Sequence, residues 1–226
     1  MRCIGHRGCP AHAPENTLLA VETAAPHVDM VEVDVRRCGS GELVVFHDER
    51  LDRLTDGTGR LDRTDWRTLR ELRVDGSEEG IPLLADVVDA VPAEVGLNAE
   101  LKHDGLAREA VSLLEGFAGE VVVSSFEASA LEQVRARSDL PLAYLFHRRF
   151  DTRRRTWRRG VRRARELGCT YLHPEYRLCL DDDRRVVRAT KAGLRVNAWT
   201  VPDRRSVRRL RRAGVDGVIV DDWRLV

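Results

Sequence analysis

The alternation of short β-rich runs with longer amphipathic stretches, from one end of the chain to the other, constrains the fold most strongly. Such alternation is typical of repeated β-α units around a parallel sheet. Pro14 predicts the start of one intervening helix, running to about Ala25, and the spacing of Trp157, Val161 and Ala164 predicts another. Nine runs are predicted to be strands: Arg2–His6, Met30–Arg36, Leu43–His47, Gly96–Lys102, Val121–Ser125, Leu142–Phe146, Tyr171–His173, Leu194–Trp199 and Gly217–Val220.

One of these strands must run against the others. Parallel neighbours need a crossover of about a dozen residues, whereas residues 37–42 form only a Gly-rich turn, so Leu43–His47 is expected to return as a β-hairpin arm. Eight parallel strands then remain, which is the number in a closed (β/α)₈ TIM barrel, whose sites lie at the C-terminal ends of the strands. We therefore predict a single barrel domain over residues 1–226, with an elaborated loop at about 48–92 inserted after the second strand.

Composition excludes several classes of protein. Hydrophobic residues make up 42% and charged residues 33% of the chain, which is unlike disordered or membrane-spanning sequences. With 38 basic and 37 acidic residues, the net charge of +1 is too balanced for a nucleic-acid binder. The start of the chain lacks a signal-peptide pattern, and the five cysteines form no C-x-x-C pair. We expect a cytoplasmic protein without stable membrane association; the oligomeric state stays open.

Arginine is concentrated in one segment. Lys102 and Lys191 are the only lysines, which we attribute to coding bias, and ten arginines accompany one acid between residues 148 and 165. Trp157, Val161 and Ala164 give this segment an apolar stripe, so the arginines are interpreted as a solvated helix face. Weak attraction to phospholipid surfaces is the alternative.

Acidic residues alternate with valines in the second predicted strand. Alternate strand residues point to the same side, so the valines of residues 31–35 face the helices while Glu32 and Asp34 project into the barrel. The same alternation turns Asn98, Glu100 and Lys102 inward on the next barrel strand. The carboxylates of Glu32, Asp34 and Glu100 can thus converge on one point. Because carboxylate oxygens are hard ligands, this arrangement predicts a site for Mg²⁺ or Ca²⁺. A network of buried salt bridges with Arg7 or Lys102 is the alternative.

Two histidines also fall at strand ends. His6 closes the first strand and is followed by Arg7 and Gly8, while His47 ends the hairpin arm. Phosphodiester cleavage needs one group that accepts a proton from the nucleophile and one that donates a proton to the leaving oxygen. Arg7 and Lys102 would hold the phosphate oxygens.

These residues occur in a recognisable order. The pattern His6-Arg7-Gly8, Pro14-Glu15-Asn16-Thr17, Glu32-x-Asp34, His47-Asp48 and Glu100-x-Lys102 resembles the glycerophosphodiester phosphodiesterase family. The resemblance continues through Ile81-Pro82-x-Leu84, Ser125-Phe126, Asn197-x-Trp199-Thr200 and Gly214-Val215-Asp216-Gly217, so it covers essentially the whole chain. It implies a metal-dependent barrel hydrolase that releases glycerol 3-phosphate and an alcohol.

The resemblance also implies residue roles. It makes Glu32, Asp34 and Glu100 ligands of a divalent cation, Mg²⁺ or Ca²⁺, and it makes His6 and His47 the acid-base pair, with His6 as base and His47 as acid or the reverse. Four further residues would contact or support the substrate: Arg7 and Lys102 at the phosphate, Trp199 as a pocket wall and Asn16 behind the site.

Alternatives to hydrolysis remain open at this point. The same residues would serve a lyase-type phospholipase that releases a cyclic phosphate, or a non-catalytic protein that only binds phosphodiesters. The last strand departs from the family's usual form, since Val220 and Asp221-Asp222-Trp223 replace the common threonine, aspartate and proline.

Overall fold

Eight parallel strands close into a barrel, and a ninth strand pairs antiparallel with the end of one of them. The computed structural model describes residues 1–148, 153–182 and 184–226. The strands are β1 Arg2–Gly5, β2 Met30–Arg37, β3 Leu43–Val45, β4 Gly96–Leu101, β5 Val121–Ser125, β6 Leu142–Phe146, β7 Tyr171–Pro174, β8 Arg195–Ala198 and β9 Gly217–Val220. The sheet order is β1, β9, β8, β7, β6, β5, β4, β2, and β2 pairs with β1 to close the barrel. The predicted (β/α)₈ barrel is confirmed.

The predicted hairpin arm is confirmed as well. β3 pairs antiparallel with β2 through Val35 opposite Val45 and Arg37 opposite Leu43. The strand ends at Val45, two residues before the expected end, and His47 lies in the irregular chain that follows.

Helices fill the crossovers between strands. They are α1 Leu18–Ala24, α2 Trp66–Leu69, α3 Leu84–Ala90, α4 Ala107–Leu114, α5 Ala128–Arg135, α6 Arg153–Glu166, α7 Tyr176–Leu180, α8 Arg184–Lys191 and α9 Arg204–Ala213. The helix expected around Trp157 is α6. In the part of the chain that the structure describes, no helix has both the length and the apolar character needed to cross a bilayer.

The first helix begins later than the sequence pattern predicts. Pro14 is not its first residue: α1 starts at Leu18, after Thr17, whose side chain accepts a hydrogen bond from the backbone N–H of Ala20 at 3.1 Å. Asn16 has a φ of 60°, in the left-handed region, which is incompatible with a continuous helix. Residues 14–17 therefore form a turn at the mouth of the barrel.

Residues 48–92 are more ordered than a plain loop. They contain a 3₁₀ turn, α2 and α3, and α3 is the helix that covers the crossover toward β4. A second apolar cluster, separate from the main core, holds this segment on the barrel: Cys38, Val44, Phe46, Leu51, Leu54, Leu61, Leu69, Val74 and Ile81. The segment is thus a small folded elaboration with its own buried side chains.

The barrel interior is divided into an apolar and a polar level. Valines 31, 33 and 35 point outward into the core between sheet and helices, as the alternation predicts. One end of the barrel is filled by apolar side chains: Ile4, Met30, Val122, Ala143, Tyr171 and Ile219. Buried polar residues lie further along the same strands, so the polar level faces the C-terminal ends, where barrel sites are built.

Candidate active site

Three carboxylates meet inside the C-terminal end of the barrel. Glu32 and Asp34 lie on β2, and the register places Asp34 beside Glu100 of β4. The three residues are 3%, 1% and 7% exposed. Each offers an oxygen within 4.8 Å of the oxygens of the other two. The predicted convergence of these acids is therefore present.

Two basic side chains contact this acidic group. The Nζ atom of Lys102 lies 3.2 Å from Asp34 Oδ1 and 2.6 Å from Glu100 Oε1. The Nε atom of Arg7 lies 3.1 Å from Asp34 Oδ2, and its Nη1 atom donates to Glu15 Oε1 at 2.8 Å. The buried salt bridges considered as an alternative are thus present alongside the acidic cluster.

These two cations do not balance the acids. Glu32 accepts a hydrogen bond only from the backbone N–H of Arg7, at 3.0 Å, and its Oε1 atom has no partner among the described residues. Burial and the negative charge of Asp34 raise the pKa of Glu32 to about 8. Asp34 differs: burial opposes its ionisation, but the charges of Lys102 and Arg7 outweigh burial and hold its pKa well below the usual range.

The site fits a divalent cation. A buried carboxylate oxygen without a partner and three acids in one shell constitute a hard-oxygen donor set for such an ion. A positive charge at this point would favour the ionised form of Glu32, which neither Lys102 nor Arg7 contacts through a side chain.

His6 is held by a carboxylate from the opposite end of the chain. It follows β1 directly, and its Nδ1 atom lies 2.7 Å from Asp221 Oδ1, just after β9. Burial disfavours protonation of His6, but the hydrogen bond to Asp221 and the charge of Glu32 outweigh it and raise its pKa. Because Nδ1 is engaged by Asp221, Nε2 is the ring nitrogen that remains available.

His47 is held in the same way by its neighbour. Its Nδ1 atom lies 2.6 Å from Asp48 Oδ1, and Asp48 also accepts from Arg53 Nε at 2.6 Å. Arg53 donates in turn to Glu15, which accepts from Arg7. Burial lowers the pKa of His47, and the positive charges of Lys102 and Arg7 lower it further against the effect of Asp34. A chain of ion pairs therefore links His47 to Arg7.

Asn16 holds Asp34 from behind. Its Nδ2 atom donates to Asp34 Oδ2 at 2.8 Å, and its Oδ1 atom accepts from the backbone N–H of Asp34 at 3.1 Å. The left-handed backbone of Asn16 turns the side chain into the barrel, where it is 2% exposed. Its position is behind the acidic group, as expected.

Aromatic side chains form part of the wall of the pocket into which the acids and histidines open. The ring of Phe126 meets Trp199 edge to face at 5.3 Å and His147 at 5.5 Å. Trp199 Nε1 donates to the backbone carbonyl of His173 at 2.8 Å, which fixes the indole. The pocket has a volume of about 100 Å³. Its lining includes seven of the nine predicted site residues, and Asp34 and Asn16 are not among them: His6, Arg7, Glu32, His47, Glu100, Lys102 and Trp199.

Sequence reasoning missed the three carboxylates that contact His6, His47 and Arg7, which are Asp221, Asp48 and Glu15. Asp48 and Glu15 lie within the motifs that carry the family resemblance, where their neighbours were assigned roles instead. Asp221 directly follows the last strand, a position at which barrel enzymes place site residues. That position was the signal that could have identified it.

Fold and site together define a (β/α)₈ barrel phosphodiesterase with a cation site at the C-terminal ends of its strands. Residues 6–225 match the Glycerophosphoryl diester phosphodiesterase family, and the chain belongs to that family.

The similarity to known proteins covers nearly the whole length of this chain. It is 28% identical over 235 residues to the glycerophosphodiester phosphodiesterase of Caldanaerobacter subterraneus subsp. tengcongensis, covering 97% of this chain and 93% of the relative. A phosphodiesterase of Oleispira antarctica, solved with the product sn-glycerol-3-phosphate, superposes with a TM-score of 0.86 at 30% identity, covering 98% and 93%. The glycerophosphodiester phosphodiesterase of Thermotoga maritima gives a TM-score of 0.82 at 27% identity, covering 99% and 95%.

Proposed function

We propose that this chain hydrolyses glycerophosphodiesters to glycerol 3-phosphate and an alcohol, with a divalent cation held by Glu32, Asp34 and Glu100. The observation that carries the proposal is the meeting of three carboxylates in one shell, beside a pocket that both histidines, Arg7 and Lys102 line. The Oleispira antarctica relative, solved with sn-glycerol-3-phosphate as its product, supports the choice of substrate class.

The cation would be Mg²⁺ or Ca²⁺, since the donor atoms are carboxylate oxygens. When bound, such an ion supplies a Lewis acid that stabilises negative charge on a phosphoryl oxygen. The chain's own residues provide a second source of positive charge. Arg7 and Lys102 lie at the same pocket, where they bind the non-bridging oxygens of a phosphodiester and orient its phosphorus. Trp199 and Phe126 border the space for the apolar part of the substrate.

The two histidines complete the proton transfers. One Nε2 atom takes a proton from the attacking hydroxyl or water as its oxygen bonds to phosphorus, and the other donates a proton as the phosphorus–oxygen bond to the alcohol breaks. Asp221 and Asp48 hold the rings so that each Nε2 is free for this purpose. The family resemblance makes His6 and His47 the acid-base pair, with His6 as base and His47 as acid or the reverse, and the matching Nδ1 contacts suit either direction.

Replacing Glu100 with alanine tests the proposal. Glu100→Ala should abolish turnover of a glycerophosphodiester without unfolding the protein, and excess chelator should do the same to the wild type. Glu22→Ala, which removes an exposed acid from α1, is the matched control and should keep wild-type turnover. Full activity in Glu100→Ala or in chelator would contradict the proposal.

Product analysis separates the alternatives. Phosphorus NMR should show glycerol 3-phosphate, a monoester, as the accumulating species. A persistent cyclic phosphate would identify a lyase-type phospholipase instead. A phosphodiester that stabilises the protein against heat and yields no product would identify a binding protein.

We also propose that residues 1–226 act as one barrel domain in the cytoplasm. The match over residues 6–225 and the closed strand ring support the first point. The five cysteines support the second, because all are free and buried in the described structure.

A further inference from the structure

Positive charge is concentrated on three outer helices. α6, α8 and α9 together contain 18 of the 38 basic residues and 1 of the 37 acidic residues, Glu166. The rest of the chain therefore carries 20 basic and 36 acidic residues. A preference for arginine over lysine does not explain this separation of charge within a protein of net charge +1.

A groove of about 610 Å³ runs between α6 and α8 within this basic surface. Trp157, Val161 and Ala189 form its apolar floor, and Trp157 and Ala189 are 5% and 1% exposed. Five arginines and one acid, Glu166, line its sides; the arginines are Arg158, Arg162, Arg165, Arg185 and Arg188. The groove is thus apolar at its base and cationic at its rim.

Three of these arginines have no acidic partner among the residues that the structure describes. Arg162 lies 3.6 Å from Glu166, and Arg185 lies 3.3 Å from Asp181. Arg158, Arg165 and Arg188 make no ion pair with another residue that the structure describes. Residues 149–152, which belong to the same arginine run, lie outside the described residues.

We propose that this arginine groove docks reversibly on the surface of an anionic phospholipid bilayer. Guanidinium groups bind lipid phosphates in pairs of hydrogen bonds, and an apolar floor accepts the hydrocarbon adjoining a headgroup. A single-stranded nucleic acid fits less well, because its bases stack on exposed aromatic rings, and Trp157, the one aromatic residue of these three helices, is buried.

Docking there leaves the catalytic pocket open. In the strand ring, β7, which α7 and α8 follow, stands four places from β2, which carries Glu32 and Asp34. The groove lies on the outer helices and shares no lining residue with the catalytic pocket. This inference goes beyond the proposed hydrolysis and does not depend on it.

Co-sedimentation with vesicles tests the proposal on the full chain. The wild type should bind vesicles of equimolar phosphatidylcholine and phosphatidylglycerol, should not bind pure phosphatidylcholine, and should be released by salt. The triple variant R158Q/R165Q/R188Q should weaken binding by about tenfold or more, because each cation near an anionic surface adds attraction. The charge-preserving variant R158K/R165K/R188K should retain most of the binding.

The matched control is R67Q/R108Q/R137Q, which removes the same charge from exposed arginines outside the three basic helices. It should leave vesicle binding within about twofold of wild type. The proposal would be overturned if R158Q/R165Q/R188Q and R67Q/R108Q/R137Q lost vesicle binding equally. It would also be overturned if the wild type bound both kinds of vesicle equally. Binding of a single-stranded RNA that displaces the vesicles would assign the surface to nucleic acid. Circular dichroism spectra and soluble-substrate turnover matching wild type show that each variant is folded.

Discussion

At the scale of single residues, the contact between His6 and Asp221 joins positions 215 residues apart. Its cause is ring closure: β1 pairs with β9, with Gly5 opposite Val220, so the residues that follow the two strands emerge side by side. Asp221 is therefore positioned by the fold to hold the imidazole of His6. Asp222, the next residue, contacts His12 instead, at 2.8 Å.

Asp221→Asn should reduce kcat/KM by about tenfold to a hundredfold, because the imidazole loses its orienting carboxylate. The hydrogen bond to Asp221 raises the pKa of His6, so its loss should lower that pKa and move one limb of the pH–rate profile to lower pH. Movement of the low-pH limb identifies His6 as the base; movement of the high-pH limb identifies it as the acid.

Asp222→Asn is the matched control for this measurement. It neutralises the adjacent carboxylate, which contacts His12 and not His6, so both limbs should stay in place. A profile of Asp221→Asn that overlays the wild type at reduced height would show that Asp221 does not set the proton affinity of His6.

His173 allows a test of burial. It is fully buried in β7, its Nε2 atom lies 3.1 Å from Asn197 Nδ2, and burial lowers its pKa to about 3 from 6.5. The unfolded chain therefore binds a proton below pH 6.5 that the folded protein does not, and stability falls as the pH drops from 6.5 toward 3.

His173→Gln should remove this dependence while keeping an acceptor for Asn197. Urea titrations over this pH range should show a slope for the wild type steeper by about 1.4 kcal/mol per pH unit than for the variant. Parallel slopes would mean that His173 is protonated in the folded protein.

At the scale of elements, strand residues were more predictable than turns. Alternation along β2 correctly predicts that Glu32 and Asp34 face inward, because the side-chain period of a strand is fixed by its geometry. The start of α1 is mispredicted, because the left-handed backbone of Asn16 depends on its contacts with Asp34, 18 residues away. Local sequence contains the alternation of a strand, but it does not contain a contact between residues far apart in the chain.

The C-terminal 3₁₀ turn, Trp223–Leu225, is the element on which Asp221 depends. Trp223 stacks between His12, at a ring distance of 3.5 Å, and His27, at 4.6 Å. The backbone N–H of Ala11 also donates to the carbonyl of Asp221 at 3.1 Å. These contacts fix the turn on the first loop of the barrel.

Trp223→Ala should lower kcat/KM by about tenfold, because the turn loses its stacking contacts and Asp221 is less firmly placed on His6. The pH–rate limb that moves in Asp221→Asn should move in the same direction. Trp223→Phe should restore most of the activity. Trp66→Ala, in the elaboration after β3, controls for loss of a partly buried indole and should leave that limb unchanged. If that limb of the pH–rate profile did not move in Trp223→Ala, the turn would have no effect on the pKa of His6.

At the scale of the whole molecule, the buried acidic group lowers the free energy of unfolding. Three buried carboxylates share two side-chain cations, and Glu32 is the member without a basic contact. The pKa of Glu32 is raised from 4.5 to about 8, so without a divalent ion the folded protein binds a proton that the unfolded chain releases above pH 4.5. In chelator, the free energy of unfolding should therefore fall as pH rises from 4.5 to 8.

Glu32→Gln should remove the loss of stability that protonation of Glu32 causes in the folded protein. In chelator at neutral pH, the variant should be more stable than the wild type by about 2 kcal/mol, because Glu32 must take up a proton on folding and the amide need not. Addition of Mg²⁺ or Ca²⁺ should raise the thermal midpoint of the wild type and leave that of Glu32→Gln nearly unchanged. Glu22→Gln, on the exposed face of α1, should behave as wild type in both conditions. If Glu32→Gln were less stable than the wild type in chelator, the charge of Glu32 would be compensated within the protein. If Mg²⁺ or Ca²⁺ still stabilised the variant, the cation would bind elsewhere.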